Sequence, residues 1–108
     1  MLIVVEVNTR ETDPPPAGTP VHVEVRDTSL ADAPAITLGR ADGEVRGRDG
    51  WLETLELEVD EAPPGTTVWV HVDADRDGRV SSGDFLTTAS YEVPPGGAPR
   101  VAAWVTRI

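Results

Sequence analysis

Val21-His22-Val23-Glu24-Val25-Arg26 alternates an apolar with a polar residue through six positions. Side chains of an extended chain point alternately to opposite faces, so this segment has one apolar and one polar face. The same pattern recurs at Leu55, Leu57 and Val59 against Thr54, Glu56 and Glu58, and at Val68, Val70 and Val72 against Trp69 and His71. Fifteen valines against seven leucines favour strands again, because β-branched side chains fit a pleated surface better than a helix. Strands are expected near 1–8, 21–27, 35–40, 51–60, 66–73, 85–93 and 100–107, with a weaker one at 44–48. Asp13-Pro14-Pro15-Pro16-Ala17-Gly18, Ala62-Pro63-Pro64-Gly65 and Pro94-Pro95-Gly96-Gly97 punctuate them as turns. The one helical hint is the capping-box spacing Ser29-Leu30-Ala31-Asp32, which Pro34 soon ends. Seven or eight strands at this spacing predict a single domain over 1–108, an antiparallel β-sandwich of immunoglobulin or transthyretin outline.

The polar residues narrow the chemistry. Nineteen acidic residues against nine arginines and no lysine give a net charge of −10. A surface of that sign repels nucleic acid and anionic membrane. With no cysteine, disulfides, thiolate catalysis and thiolate metal sites are excluded. Met1-Leu2-Ile3-Val4-Val5-Glu6-Val7 reads as a strand rather than a signal peptide; no lipobox is read, and the compartment stays open. No apolar run approaches the ~20 residues of a membrane-spanning helix.

One stretch carries a specific motif. Asp73-Ala74-Asp75-Arg76-Asp77-Gly78-Arg79-Val80-Ser81-Ser82-Gly83-Asp84 places carboxylates at positions 1, 3, 5 and 12 of a twelve-residue loop, glycine at 6 and a hydroxyl at 9. Ca²⁺ takes about six to eight oxygens, and alternate side chains of a tight loop converge on one point. The expected ligands are Asp73, Asp75, Asp77, the Arg79 carbonyl, Ser81 and Asp84. Position 12 is aspartate where helix-flanked loops use glutamate, and the flanks here are strands. The loop therefore reads as a Ca²⁺ staple that stabilises a turn, and not as a switch.

The stretch from Val21 to Ala35, an alternating strand running into Asp27-Thr28-Ser29-Leu30-Ala31-Asp32-Ala33-Pro34-Ala35, resembles the YbaY/YscW-type lipoprotein family. The later layout, with a strand ending at Tyr91-Glu92-Val93-Pro94 and a final strand, extends the likeness over about 21–108. The resemblance implies a small β-sandwich and, as functions, an envelope lipoprotein or a pilotin that chaperones a secretin subunit. In purely physical terms Asp27 and Ser29 cap local amides there, and Leu30 plugs one end of the sandwich.

The remaining residues are read structurally first. Trp51 shares parity with Leu55 and Leu57 and is assigned to the core. Trp69 and Trp104 fall on an outer face, where a glycan or a protein partner could stack. The terminal strands are apolar on both sides, which points to self-association or internal cover. His22 and His71 are expected on a solvated face, neighbours across strands, and Glu53, Glu56, Glu58, Asp60 and Glu61 on a solvated sheet face or edge. No nucleophile elbow, phosphate loop or HExxH motif is present, so no enzymatic activity is expected. Two functional classes remain: a calcium-stabilised structural or interaction module, and a pilotin-like periplasmic chaperone or glycan-binding protein.

Overall fold

A computed structural model describes residues 1–29 and 33–108. Eight strands follow one another: β1 (Leu2–Thr9), β2 (Pro20–Asp27), β3 (Ile36–Glu44), β4 (Trp51–Glu58), β5 (Thr66–Val72), β6 (Phe85–Thr87), β7 (Tyr91–Glu92) and β8 (Arg100–Arg107). Among the described residues there is no helix, and hence none long and apolar enough to cross a membrane. The capping-box hint and the Leu30 plug fall largely outside the described residues. The Asp27 cap is present, its Oδ1 accepting the Ser29 N–H at 3.0 Å.

The strands form one sheet in the order β3-β2-β5-β6-β8-β1-β4, with β7 paired to β5. This corrects the expected sandwich. The sheet is also mixed, because β1 and β8 run parallel from Val4↔Arg100 to Thr9↔Val105. The terminal strands are therefore interior neighbours, while β3 and β4 are the edges. These edges meet without ladder hydrogen bonds, so the sheet is a nearly closed barrel. Gly39 and Gly43 of β3 permit the approach: a Cβ on either would stand 2.7 Å from Val59 Cγ1 or 2.8 Å from Leu55 Cδ2.

The alternating valines fill this barrel as their parity requires. Ile3, Val5 and Val7, Val21, Val23 and Val25, Val68, Val70 and Val72, and Val101, Ala103 and Val105 are all buried. Their polar partners in sequence take the outer face. The parity argument fails at one point. Val7 pairs with Glu53 but Asn8 pairs with Trp51, so Leu52 is an extra residue, a β-bulge. Leu52 is buried and Trp51 turned outward as a result, while Glu53, opposite Val7, is buried on the same parity as Leu57. Trp51 is thus not core, and Glu53 does not lie on the solvated face; its carboxylate meets Arg46 Nε at 3.0 Å. Glu56, Glu58, Asp60 and Glu61 are exposed as expected.

Two further boundaries differ. The weak strand at 44–48 does not form beyond Glu44, and the expected 85–93 strand is split into β6 and β7. Pro16-Ala17-Gly18-Thr19 and Pro63-Pro64-Gly65-Thr66 are matched turns entering β2 and β5. In each, the threonine N–H and hydroxyl both donate to the first proline's carbonyl, and the glycine sits at φ +87° or +90°. That positive φ at the third position is the type II requirement that glycine meets without strain.

Candidate metal loop

The acidic loop leaves the end of β5 and returns as β6. It begins at a buried Asp73 and ends at a buried Asp84, both fixed by the strands next to them. Oxygens of Asp73, Asp75, Asp77 and Asp84 lie within 4.8 Å of one another. The backbone N–H of Gly78 donates to Asp73 Oδ2 at 2.8 Å. Asp75 Oδ1 accepts the Asp77 N–H at 3.3 Å, and Asp77 Oδ1 accepts the Arg79 N–H at 2.9 Å. The Ser81 hydroxyl donates to Asp75 Oδ2 at 2.8 Å. That hydrogen bond, helped by those from the Asp77 segment, holds the Asp75 carboxyl down at about 2.

The four expected carboxylates and the Ser81 hydroxyl are thus brought together, but with unequal roles. Both oxygens of Asp84 are already engaged. Oδ1 accepts the Ala74 N–H at 2.9 Å, while Oδ2 accepts the Ser81 N–H at 3.1 Å and meets His71 Nε2 at 2.7 Å. Burial works against the ionised form of Asp84, but the bonds from His71, Ser81 and Ala74 together outweigh it and lower its pKa. Asp84 therefore closes the loop and has little left to offer as a bidentate ligand. Asp73 is the opposite case. Its Oδ1 is buried and has no hydrogen-bond partner among the described residues. A sealed carboxyl oxygen without a donor costs free energy unless a donor or a cation meets it. Ser81 is partly buried, whereas Val80 at position 8 is 47% exposed and packs into no core.

His71 is a further residue that the sequence misplaces. It is 3% exposed rather than solvated, and it supports Asp84. The register pairs it with His22, as expected of cross-strand neighbours, and the ring centroids are 5.8 Å apart. His22 has a carboxylate of its own, Asp42, at 2.7 Å from Nδ1. Neither carboxylate was legible beforehand, because Asp42 lies on β3 and Asp84 across the loop. Trp69 and Trp104 do fall on the outer face, each with an arginine over one side of its ring: Arg26 at 4.1 Å and Arg10 at 3.9 Å. At most the other side of each ring remains for a ligand.

Fold and loop together define a small all-β domain with a mixed, barrel-like sheet and one turn in which four carboxylates converge. It is similar in structure to an alternative pilotin from the type II secretion system of Vibrio cholerae, with a TM-score of 0.68, covering 99% of this chain and 97% of that one. The two sequences are 23% identical, so the likeness is one of fold. No protein-family model matches the chain, and no curated protein matches it in sequence.

Proposed function

We propose that this is a non-enzymatic β-domain in which Ca²⁺ staples the loop between β5 and β6, leaving the barrel as a structural or protein-interaction module. The reading is carried by Asp73 Oδ1, a buried oxygen without a donor among the described residues, beside three further carboxylates. An ion there supplies the missing partner and offsets repulsion among four acidic groups. Asp73, Asp75, Asp77, Ser81 and the Arg79 carbonyl are the ligands, with at most one oxygen from Asp84. Calorimetric titration with Ca²⁺ and with Mg²⁺ tests this, beside Asp73→Ala and Asp77→Ala. Binding that both substitutions abolish is the expected result. A flat Ca²⁺ titration and a melting temperature indifferent to chelator would overturn it.

A second reading, a pilotin-like chaperone of a secretin subunit, draws support from the fold shared with the Vibrio cholerae pilotin and from the YbaY/YscW-type resemblance over 21–108. Co-expression with a secretin subunit tests it, through co-purification of the pair. The loop plays no direct part in that reading, so the two can hold together.

A further inference from the structure

The outer face of β2 and β5 holds a histidine pair, one member of which, His71, also buttresses Asp84 at the end of the aspartate loop. Val21, Val23, Val70 and Val72 point inward, so His22 and His71 share the outer face directly opposite each other. Their rings are inclined by 37°. His22 Nδ1 lies 2.7 Å from Asp42 Oδ1, and His71 Nε2 lies 2.7 Å from Asp84 Oδ2. A carboxylate only accepts hydrogen bonds, so in each neutral ring the contacted nitrogen carries the proton. The other nitrogens, Nε2 of His22 and Nδ1 of His71, are left with lone pairs. Among the described residues neither makes a hydrogen bond; His22 is partly exposed, whereas His71 is 3% exposed. Both rings line a groove of about 200 Å³, with Glu24, Asp42, Trp69 and Gly78 around them.

We propose that His22 and His71 form a second metal site, a two-imidazole site for a borderline transition ion such as Ni²⁺, Zn²⁺ or Cu²⁺. A histidine that binds a metal characteristically gives its other ring N–H to a carboxylate, which fixes the tautomer and raises the basicity of the ligating nitrogen. Here both rings have that partner. With metal–nitrogen bonds of about 2.0–2.1 Å, two imidazoles on one tetrahedral ion have centroids roughly 5 Å apart. The observed 5.8 Å is within a small side-chain rotation of that. Nitrogen donors suit these ions, whereas the all-oxygen loop suits Ca²⁺, so the two sites are chemically distinct. Glu24 and Asp42 add negative charge beside the groove, offset in part by Arg40 in the same lining, and the groove has room for the water molecules that complete the coordination.

The test uses the full chain with Ca²⁺ already in excess, so that the oxygen loop is not the first sink for a second ion. Ni²⁺ is then titrated calorimetrically. One Ni²⁺ per chain is expected. His22→Gln should weaken it at least tenfold with the Ca²⁺ titration unchanged, and Asp75→Asn/Asp77→Asn should weaken Ca²⁺ while leaving Ni²⁺ in place. NMR of the unsubstituted chain is the check that needs no variant: the His22 and His71 ring resonances should broaden first as paramagnetic Ni²⁺ is added. Absence of Ni²⁺ binding, binding indifferent to His22→Gln, displacement by Ca²⁺ ion for ion, or broadening elsewhere first would each overturn the site. A flat Ca²⁺ titration beside a His22-dependent Ni²⁺ one would break the calcium reading and leave this one standing.

Discussion

β5 is held at its two ends by opposite chemistry. At its start, Pro63-Pro64-Gly65-Thr66 is fixed by backbone geometry. Proline presets φ, Gly65 takes φ +90°, and Thr66 donates twice to the Pro63 carbonyl, at 3.1 Å from its N–H and 2.6 Å from its hydroxyl. Thr28 closes this turn from β2 with two bonds to the Gly65 carbonyl. No side-chain charge takes part. At its other end the Asp73–Asp84 loop is held by carboxylates accepting backbone N–H groups, and one buried oxygen is left over. The first turn is complete with its own atoms. The second leaves one buried carboxylate oxygen without a partner among the described residues, and under the proposed function a cation is what completes it.

Calcium gives the largest way to separate the two ends. A ligand at a hundred times its Kd stabilises the folded state by about 2.7 kcal/mol. In a domain of this size that raises the melting temperature by on the order of 10 °C. Asp73→Ala should erase the rise, whereas substitutions at Pro63–Thr66 should lower the melting temperature equally with and without Ca²⁺. Differential scanning calorimetry in Ca²⁺ and in chelator reads both.

Gly65→Ala is next. A left-handed φ costs an L-residue about 1–2 kcal/mol. The added Cβ would also stand 2.7 Å from Ser29 Cβ, so denaturant unfolding should show at least that loss. Gly78 also has positive φ, at +77°, but a Cβ there meets nothing within 4 Å, so Gly78→Ala should show the conformational cost alone.

Thr66→Val removes a buried hydroxyl but keeps the shape. A loss of about 0.5–1.5 kcal/mol is expected from one hydrogen bond, independent of pH and of Ca²⁺. A Ca²⁺-dependent loss would mean that the two ends of β5 are coupled.

The smallest effect is the loop's own response to acid. The Asp75 pKa in the folded state, about 2, is below its ordinary value of 3.8. Its stabilisation is therefore fully present above pH ~4 and is lost as pH falls towards 2. Asp84, also lowered, contributes with the same sign. In chelator, the melting temperature should fall less steeply between pH 4 and 2 in Asp75→Asn than in the unsubstituted chain. Parallel curves would show that the Ser81 bond to Asp75 does not matter to folding.

Much of the fold was legible because strand periodicity is local. The inward valines of β2 and β5 followed from parity alone, as did the outward Trp69 and Trp104, whereas the terminal strands read as apolar on both sides. Parity failed only where one extra residue, Leu52, shifted the count and reversed Trp51; the buried Glu53 keeps the parity of Leu55 and Leu57. No pattern within β4 signals that bulge, which answers the pairing with β1. In the loop, Asp73, Asp75, Asp77 and Ser81 were legible because their convergence is a matter of spacing within one turn. The double engagement of Asp84 was not, since His71 is thirteen residues away and reaches it only across the β5–β6 pair.

The sequence by itself determined most of the extended segments, the alternating faces of the longer ones, the glycine-bearing turns between them and an oxygen-rich loop at Asp73–Asp84. Each depends on dihedral preferences and side-chain period over a few residues. Only the tertiary structure decided that β1 lies parallel to β8, that β3 and β4 close a barrel through Gly39 and Gly43, and that His71 is buried against Asp84. Those outcomes depend on which distant strands pair. One apolar face can be buried equally well in a sandwich or in a barrel, so the valine pattern fixes what is inside without fixing who the neighbours are.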